Sequence, residues 1–241
     1  NLDNFSPASL RHCTGAGEPL NPEVMRVWEE GTGLTIYDGY GQTETVVLVS
    51  NFRCLPVKPG SMGRTMPGYV IGIVDEQGNE VPEGEEGQIG VKVKPRRPVG
   101  LFQEYWRDPE VTKNAFVGDW YLTGDKAFRD EDGYFWFVGR ADDVIISAGY
   151  RIGPFEIESA LLEHPAVAES AVVASPDKVR GDVVKAFIIL APGYVPSEEM
   201  VLSIQAHVRK VTAPYKYPRL VEFVTELPKT ISGKIRRIEL R

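Results

Sequence analysis

The chain has 241 residues, 42% hydrophobic and 25% charged, the make-up of an ordinary globular protein with one large domain or two small ones. Lysine and arginine number 27 against 34 aspartates and glutamates, and the net charge of −7 argues against general nucleic-acid binding, which needs a basic face for phosphates. Cys13 and Cys54 form no CxxC pair, so a zinc motif is not expected, and no apolar run nears the roughly 20 residues of a membrane helix.

Residues 1–51 read as mixed α/β. Val24, Val27 and Trp28 stand at helical spacing after Asn21, a capping residue, and before Gly31, which predicts a helix over 22–30. Residues 34–37 read as a short strand entering a glycine-rich turn. From 59 to about 140 the texture changes to short apolar runs, such as 69–74 and 88–93, broken by turn signals at Asp75-Glu76-Gln77-Gly78-Asn79 and Pro82-Glu83-Gly84. That spacing predicts a small β-barrel or meander.

A third texture follows residue 140. Strands are expected over 144–146, 167–174, 183–190 and 220–224. Between them, Ile157, Ala160 and Leu161 share one face of a helix over 155–163. Ser197 caps a second helix, with Glu198 and Glu199 in its first turn and Val201, Ile204, Val208 and Val211 as its apolar stripe. This order predicts a small α+β domain of about 100 residues.

Four segments carry candidate chemistry, and each has a plainer reading beside it. In Asp38-Gly39-Tyr40-Gly41-Gln42-Thr43-Glu44 the glycines admit a close ligand, Thr43 offers a hydroxyl, and Glu44 could hold Mg²⁺ against phosphate oxygens; the plainer reading is a polar turn. In Tyr121-Leu122-Thr123-Gly124-Asp125 the aspartate could accept two ribose hydroxyls, or merely close a β-turn. The stretch 139–158 holds Arg140 and Arg151 on either side of Gly149, suited to phosphate through the guanidinium fork, or else is an exposed linker. The basic run Pro228-Lys229-Thr230-Ile231-Ser232-Gly233-Lys234-Ile235-Arg236-Arg237 could bring an ammonium to a phosphate or carboxylate from a mobile tail, or could simply be solvated. It lacks the GxxxxGK[ST] spacing of a P-loop.

Taken together and in this order, these segments resemble the adenylate-forming superfamily of acyl-CoA synthetases, luciferases and adenylation domains, most closely the medium-chain acyl-CoA synthetases, over essentially the whole chain. The resemblance implies the end of a large mixed α/β AMP-binding domain over 1–141, with a β-barrel at about 59–140, then a small mobile α+β domain over 142–241 with Asp142 as hinge. It implies that Gly17-Glu18-Pro19 and Asp38, Gly39 and Tyr40 bind adenine, with Gly41 and Gln42 in the same nucleotide segment. Thr43 would bind phosphate, Glu44 the Mg²⁺, and Asp125 the ribose with Arg140 beside it. Ala148, Gly149, Tyr150 and Arg151 would line the coenzyme A path, Arg180 and Arg209 would meet its phosphates, and Lys234 would be the lysine of the first half-reaction. Many relatives carry serine where this chain has Ala148, and acetate-specific relatives carry tryptophan where it has Gly41, so an open acyl tunnel is expected here.

The implied reaction is ATP-dependent activation of a carboxylic acid and its transfer to coenzyme A, with ATP, Mg²⁺ and coenzyme A as cofactors and a medium-chain or related acid as substrate. The superfamily's Gly/Ser/Thr-rich phosphate loop and most of its acyl pocket are missing from these residues, so the chain reads as truncated and inactive alone. The other readings are an adenylation domain, an aryl-CoA ligase, or a non-catalytic nucleotide-binding fragment. Cysteine usage fits a reducing compartment, and the expected setting is the cytoplasm, or the mitochondrial matrix in a eukaryote. The sequence leaves the oligomeric state open.

Overall fold

The computed structural model describes residues 8–231 and 233–241. They form two compact units, Asn1–Ala141 and Asp142–Arg241.

In the first unit, β1 (Cys13–Ala16), α1 (Pro22–Thr32) and β2 (Ile36–Gln42) make a strand–helix–strand crossover with β1 and β2 parallel. β3 (Val46–Ser50) and β4 (Arg64–Thr65) extend that sheet antiparallel, in the order β1-β2-β3-β4. Asn21 caps α1 by accepting the Glu23 amide at 2.7 Å. The helix runs through Gly31 and stops at left-handed Gly33 (φ 70°), whose amide bonds the Glu29 carbonyl, so the expected end before Gly31 is two residues short. Met25 is the buried residue of α1, while Val24 and Val27 of the expected apolar face are exposed.

The expected strand over 34–37 is displaced, and its glycine-rich turn is mostly strand. β2 continues to Gln42 because it is paired on both sides, by β1 and by β3, and the two ladders outweigh the poor strand propensity of Gly39 and Gly41. Only 43–45 turn.

A second, antiparallel sheet of the same unit contains β5 (Ile71–Val74), β6 (Gly87–Lys92), β7 (Phe116–Val117), β8 (Trp120–Arg129) and β9 (Phe135–Arg140), with short helix α2 (Pro109–Asn114) before β7. β6 lies along one side of β8, while β7 and then β9 share its other side, so the sheet curls into half a barrel. Leu48, Ile73, Ile89, Val91, Tyr121 and Phe135 fill the core between the strands.

The second unit is the small α+β domain. β10 (Ile145–Ser147) and β11 (Tyr150–Ile152) form a hairpin, α3 (Pro154–Leu162) follows, and β12 (Val167–Asp177) pairs with β13 (Gly181–Leu190) along almost their full length. α4 (Glu198–Val211) leads to β14 (Leu220–Phe223), parallel to β13. Ile157, Ala160 and Leu161 of α3 and Ile204 and Val208 of α4 are buried in one core, as their spacing predicts; Val211 is exposed. Three-residue β11 is a strand the sequence pattern does not announce.

Candidate functional site

The first sheet sets out one group of site residues. Gly17 (φ 99°), Glu18 and Pro19 leave the C-terminal end of β1, where Ala16 pairs with Gly39 of β2. The two segments expected to bind adenine therefore lie side by side, Gly17-Glu18-Pro19 just past the C-terminal end of β1 and Asp38, Gly39 and Tyr40 within the adjacent part of β2; the carboxyl ends of parallel strands are the usual ligand position of an α/β sheet. Asp38 is buried, and its Oδ1 has no hydrogen-bond partner among the described residues. Burial pushes its carboxyl up to about 6, against the pull of the Gly39 and Leu20 amides.

Asp125 gathers the next group. Its Oδ2 accepts the Tyr40 hydroxyl at 2.6 Å and the Gln42 side-chain amide at 2.7 Å. Gln42 Nε2 also donates to the Thr123 carbonyl at 2.8 Å, and Gln42 Oε1 accepts the Tyr121 hydroxyl at 3.1 Å. Burial, then the Asp125 charge, keep the Tyr40 phenol protonated far above its ordinary range. Tyr121 and Thr123 have no assigned role in the sequence reading, although alternation along β8 puts 121, 123 and 125 on one buried face. Arg140 is exposed on β9 directly opposite Asp125 in the ladder.

The turn after β2 is closed by Thr45, whose Oγ1 accepts the Gln42 amide at 2.9 Å. Thr43 is exposed at its tip. Glu44 is half-buried, and its Oε1 accepts the Tyr105 hydroxyl at 3.0 Å, a contact with a residue the sequence reading passes over. Among the described residues no cluster of three acidic, histidine or cysteine side chains could hold a metal unaided. A single fixed carboxylate still fits Mg²⁺, which is commonly held by one or two carboxylates with substrate phosphates and water completing the shell.

Gly41 is closely packed against the neighbouring strand. A Cβ there would lie 1.8 Å from the Val46 carbonyl oxygen, across the irregular pairing of β2 with β3. The glycine is required by the hairpin backbone, and a tryptophan cannot be added without displacing Val46.

In the second unit, Ala148 (φ 49°) and Gly149 (φ 85°) are the two central residues of the β10–β11 turn. Two positive φ values suit a two-residue hairpin, and an alanine in that region carries roughly 1–2 kcal/mol of strain. The Ala148 amide donates to the Arg180 carbonyl at 2.9 Å, so Arg180, at the tip of the β12–β13 hairpin, is brought to this turn. Tyr150 stacks on Tyr215 with centroids 4.2 Å apart. Arg151 is exposed on β11, and Arg209 is held elsewhere, over the Tyr217 ring at 3.7 Å.

Lys234 is exposed in a loop closed by contacts with Thr230. The Thr230 amide donates to the Lys234 carbonyl at 2.8 Å, and the Lys234 amide to Thr230 Oγ1 at 3.0 Å. Gly233 takes a positive φ of 87° in this loop; Ser232 lies outside the described residues. Asp142 opens the second unit, and its carbonyl accepts from Arg241 at 3.3 Å.

Comparison with known proteins gives this geometry its context. The family described as AMP-binding enzyme matches residues 3–106, and the AMP-binding enzyme C-terminal domain matches 156–234. The chain belongs to the AMP-binding enzymes. Asp125, Arg140 and the Ala148–Gly149 turn fall between the two matched stretches. Acyl-coenzyme A synthetase ACSM3, mitochondrial, of Rattus norvegicus is 59% identical over 242 residues, all of this chain and 42% of that protein. Acyl-coenzyme A synthetase ACSM4, mitochondrial, of Homo sapiens is 58% identical over 243 residues with the same coverage. The chain thus spans about two-fifths of the length of these curated relatives. Among solved structures, the anthranilate CoA ligase AuaEII in complex with anthranoyl-AMP superposes with a TM-score of 0.90 at 43% identity, over 98% of this chain and 45% of that one. A benzoate CoA ligase from Burkholderia xenovorans LB400 gives 0.85 at 38% identity, over 97% and 46%.

Proposed function

We propose that this chain is the C-terminal part of an AMP-forming acyl-CoA synthetase that converts a medium-length carboxylic acid, ATP and coenzyme A to acyl-CoA, AMP and pyrophosphate. The observation that carries the proposal is the Tyr40–Gln42–Asp125 network, two residues from Glu44 along β2 and its turn. The match of the whole chain to about two-fifths of the length of acyl-coenzyme A synthetases supports it.

In this reading a substrate carboxylate oxygen attacks the α-phosphorus of ATP, and pyrophosphate leaves with the electron pair of the broken P–O bond. Mg²⁺, when bound, would supply positive charge to phosphate oxygens. Glu44, fixed by Tyr105, would hold it, and Thr43 would donate to a phosphate. Asp125 would accept ribose hydroxyls, and its pre-set orientation removes a reorganisation cost at binding. The Lys234 ammonium would stabilise charge on the attacking carboxylate and the phosphate. The coenzyme A thiolate then attacks the acyl carbon and AMP leaves. Arg151, Arg180 and Arg209 would meet coenzyme A phosphates, with the Ala148–Gly149 turn along its path. The second unit would rotate about Asp142 between the two steps.

We infer a mitochondrial-matrix setting from the names of the relatives rather than a cytoplasmic one. Among the described residues no helix is long and apolar enough to cross a membrane. An aryl acid is the second reading, favoured by the anthranilate and benzoate ligases among the structural relatives. The test is acid-dependent pyrophosphate release by the intact protein with octanoate, benzoate and acetate. Octanoate as the best substrate supports the proposal, benzoate favours the second reading, and no acid-dependent release contradicts both.

A further inference from the structure

The loop that carries Lys234 is fixed at its base by a pair of residues 79 positions apart. Arg237 Nη2 donates to both carboxylate oxygens of Glu158, at 2.8 and 2.7 Å. Glu158 is a buried residue of α3, and its Oε1 also accepts the Val172 amide of β12 at 2.8 Å. The carboxylate is thus held from a second element, and the arginine three residues beyond Lys234 is held by the carboxylate.

Between Arg237 and the loop runs a short stem. Lys229 pairs with Ile235, and the Arg236 amide donates to the Pro228 carbonyl at 2.9 Å. Lys229 also meets Glu169 of β12 at 2.6 Å, but both side chains are substantially exposed and such a pair contributes little. The Glu158–Arg237 pair is far better shielded, with side-chain exposures of 10% and 22%. Removing one partner of a shielded pair leaves the other charge uncompensated, so this contact fixes the stem more firmly than the lysine pair does.

We propose that Glu158 and Arg237 are positioning residues for Lys234: their pairing fixes the loop so that the ammonium is presented from a set backbone position. This rests on the adenylation role proposed above for Lys234. A long lysine side chain is flexible, so the placement of its backbone decides how much of its time is spent in reach of a reacting group.

The test uses the intact protein that carries this chain, with Arg237→Met, Glu158→Gln (which keeps an acceptor for the Val172 amide) and Lys234→Ala. Adenylate formation, thioester formation from supplied acyl-adenylate, and hydrogen exchange of the Gly233 and Lys234 amides are read for each. Either pairing variant is expected to lower adenylate formation roughly tenfold or more, leave thioester formation within about twofold, and speed exchange in the loop. Equal falls in both half-reactions assign the pair to folding alone and overturn the proposal, as does unchanged adenylate formation. If Lys234→Ala itself leaves adenylate formation intact, the role of Lys234 fails first; dependence on Lys234 with indifference to Arg237 and Glu158 refutes only the positioning.

Discussion

Tyr40 and Asp125, 85 residues apart in sequence, meet at 2.6 Å, phenol to carboxylate, and join the first sheet of the first unit to its second. Gln42 completes the contact on the same carboxylate oxygen. The residue expected to hold a ribose is therefore oriented by two residues of the segment expected to hold the adenine. Tyr40→Phe removes one hydrogen bond to a charged acceptor and should cost roughly 1.5–3 kcal/mol of stability. The KM for ATP should rise several-fold while the KM for the acid stays near its wild-type value. Thermal unfolding and steady-state kinetics of the intact protein check this, and an unchanged KM for ATP would detach Tyr40 from the nucleotide site.

Asp38 supplies a pH prediction. Its folded carboxyl sits at about 6 against an ordinary 3.8, because burial disfavours the charge. Below 3.8 both folded and unfolded states hold the proton, so Asp38 adds no pH dependence. Between 3.8 and 6 the unfolded state loses the proton first, and native stability declines as pH rises. Above 6 the full penalty applies, at most about 3 kcal/mol. Asp38→Asn should therefore gain stability relative to wild type at pH 7.5 and gain little at pH 4. Urea unfolding at the two pH values decides it; a difference between the proteins that does not change with pH contradicts the account.

Two hairpin positions should respond in opposite senses. Gly41→Ala drives a methyl to within 1.8 Å of the Val46 carbonyl oxygen and should destabilise the β2–β3 hairpin by more than about 2 kcal/mol. Ala148→Gly relieves a positive-φ alanine and should stabilise the second unit by up to about 1 kcal/mol, less whatever the added freedom of the unfolded chain takes back. Chemical denaturation of each variant is the check. A tolerated Gly41→Ala would contradict the close approach of the Val46 carbonyl at this position.

Local signals were enough for some of these elements and silent on others. The α3 stripe of Ile157, Ala160 and Leu161 and the Asn21 and Ser197 caps are short-range patterns, and the folded chain follows them. β2 was obscured by Gly39 and Gly41, since its strand state comes from partners on both sides that no local window contains. Motif residues such as Asp125 and Lys234 can be picked out in the sequence, but the Gln42 and Arg237 contacts that hold them join positions roughly 80 apart. Tyr105 on Glu44 is a case of the same kind: a tyrosine in a loop gives no sign of the carboxylate it will meet.

The proposed hinge is open to a direct trial. Asp142→Pro fixes φ at the first residue of the second unit. Adenylate formation should persist in the intact protein while thioester formation falls at least about tenfold, a loss on the scale expected for misplacing a reacting group. Normal rates for both half-reactions would remove Asp142 from the role of pivot.

The central claim is that these residues serve acid activation by ATP ahead of transfer to coenzyme A. Exchange of labelled pyrophosphate into ATP isolates that first step, because it runs backward and forward without coenzyme A. With the intact protein, Mg²⁺ and octanoate, the account predicts exchange that depends on the acid, proceeds without coenzyme A, and is lost by roughly two orders of magnitude in Lys234→Ala. Exchange that needs no acid, or that Lys234→Ala leaves at the wild-type rate, would contradict it.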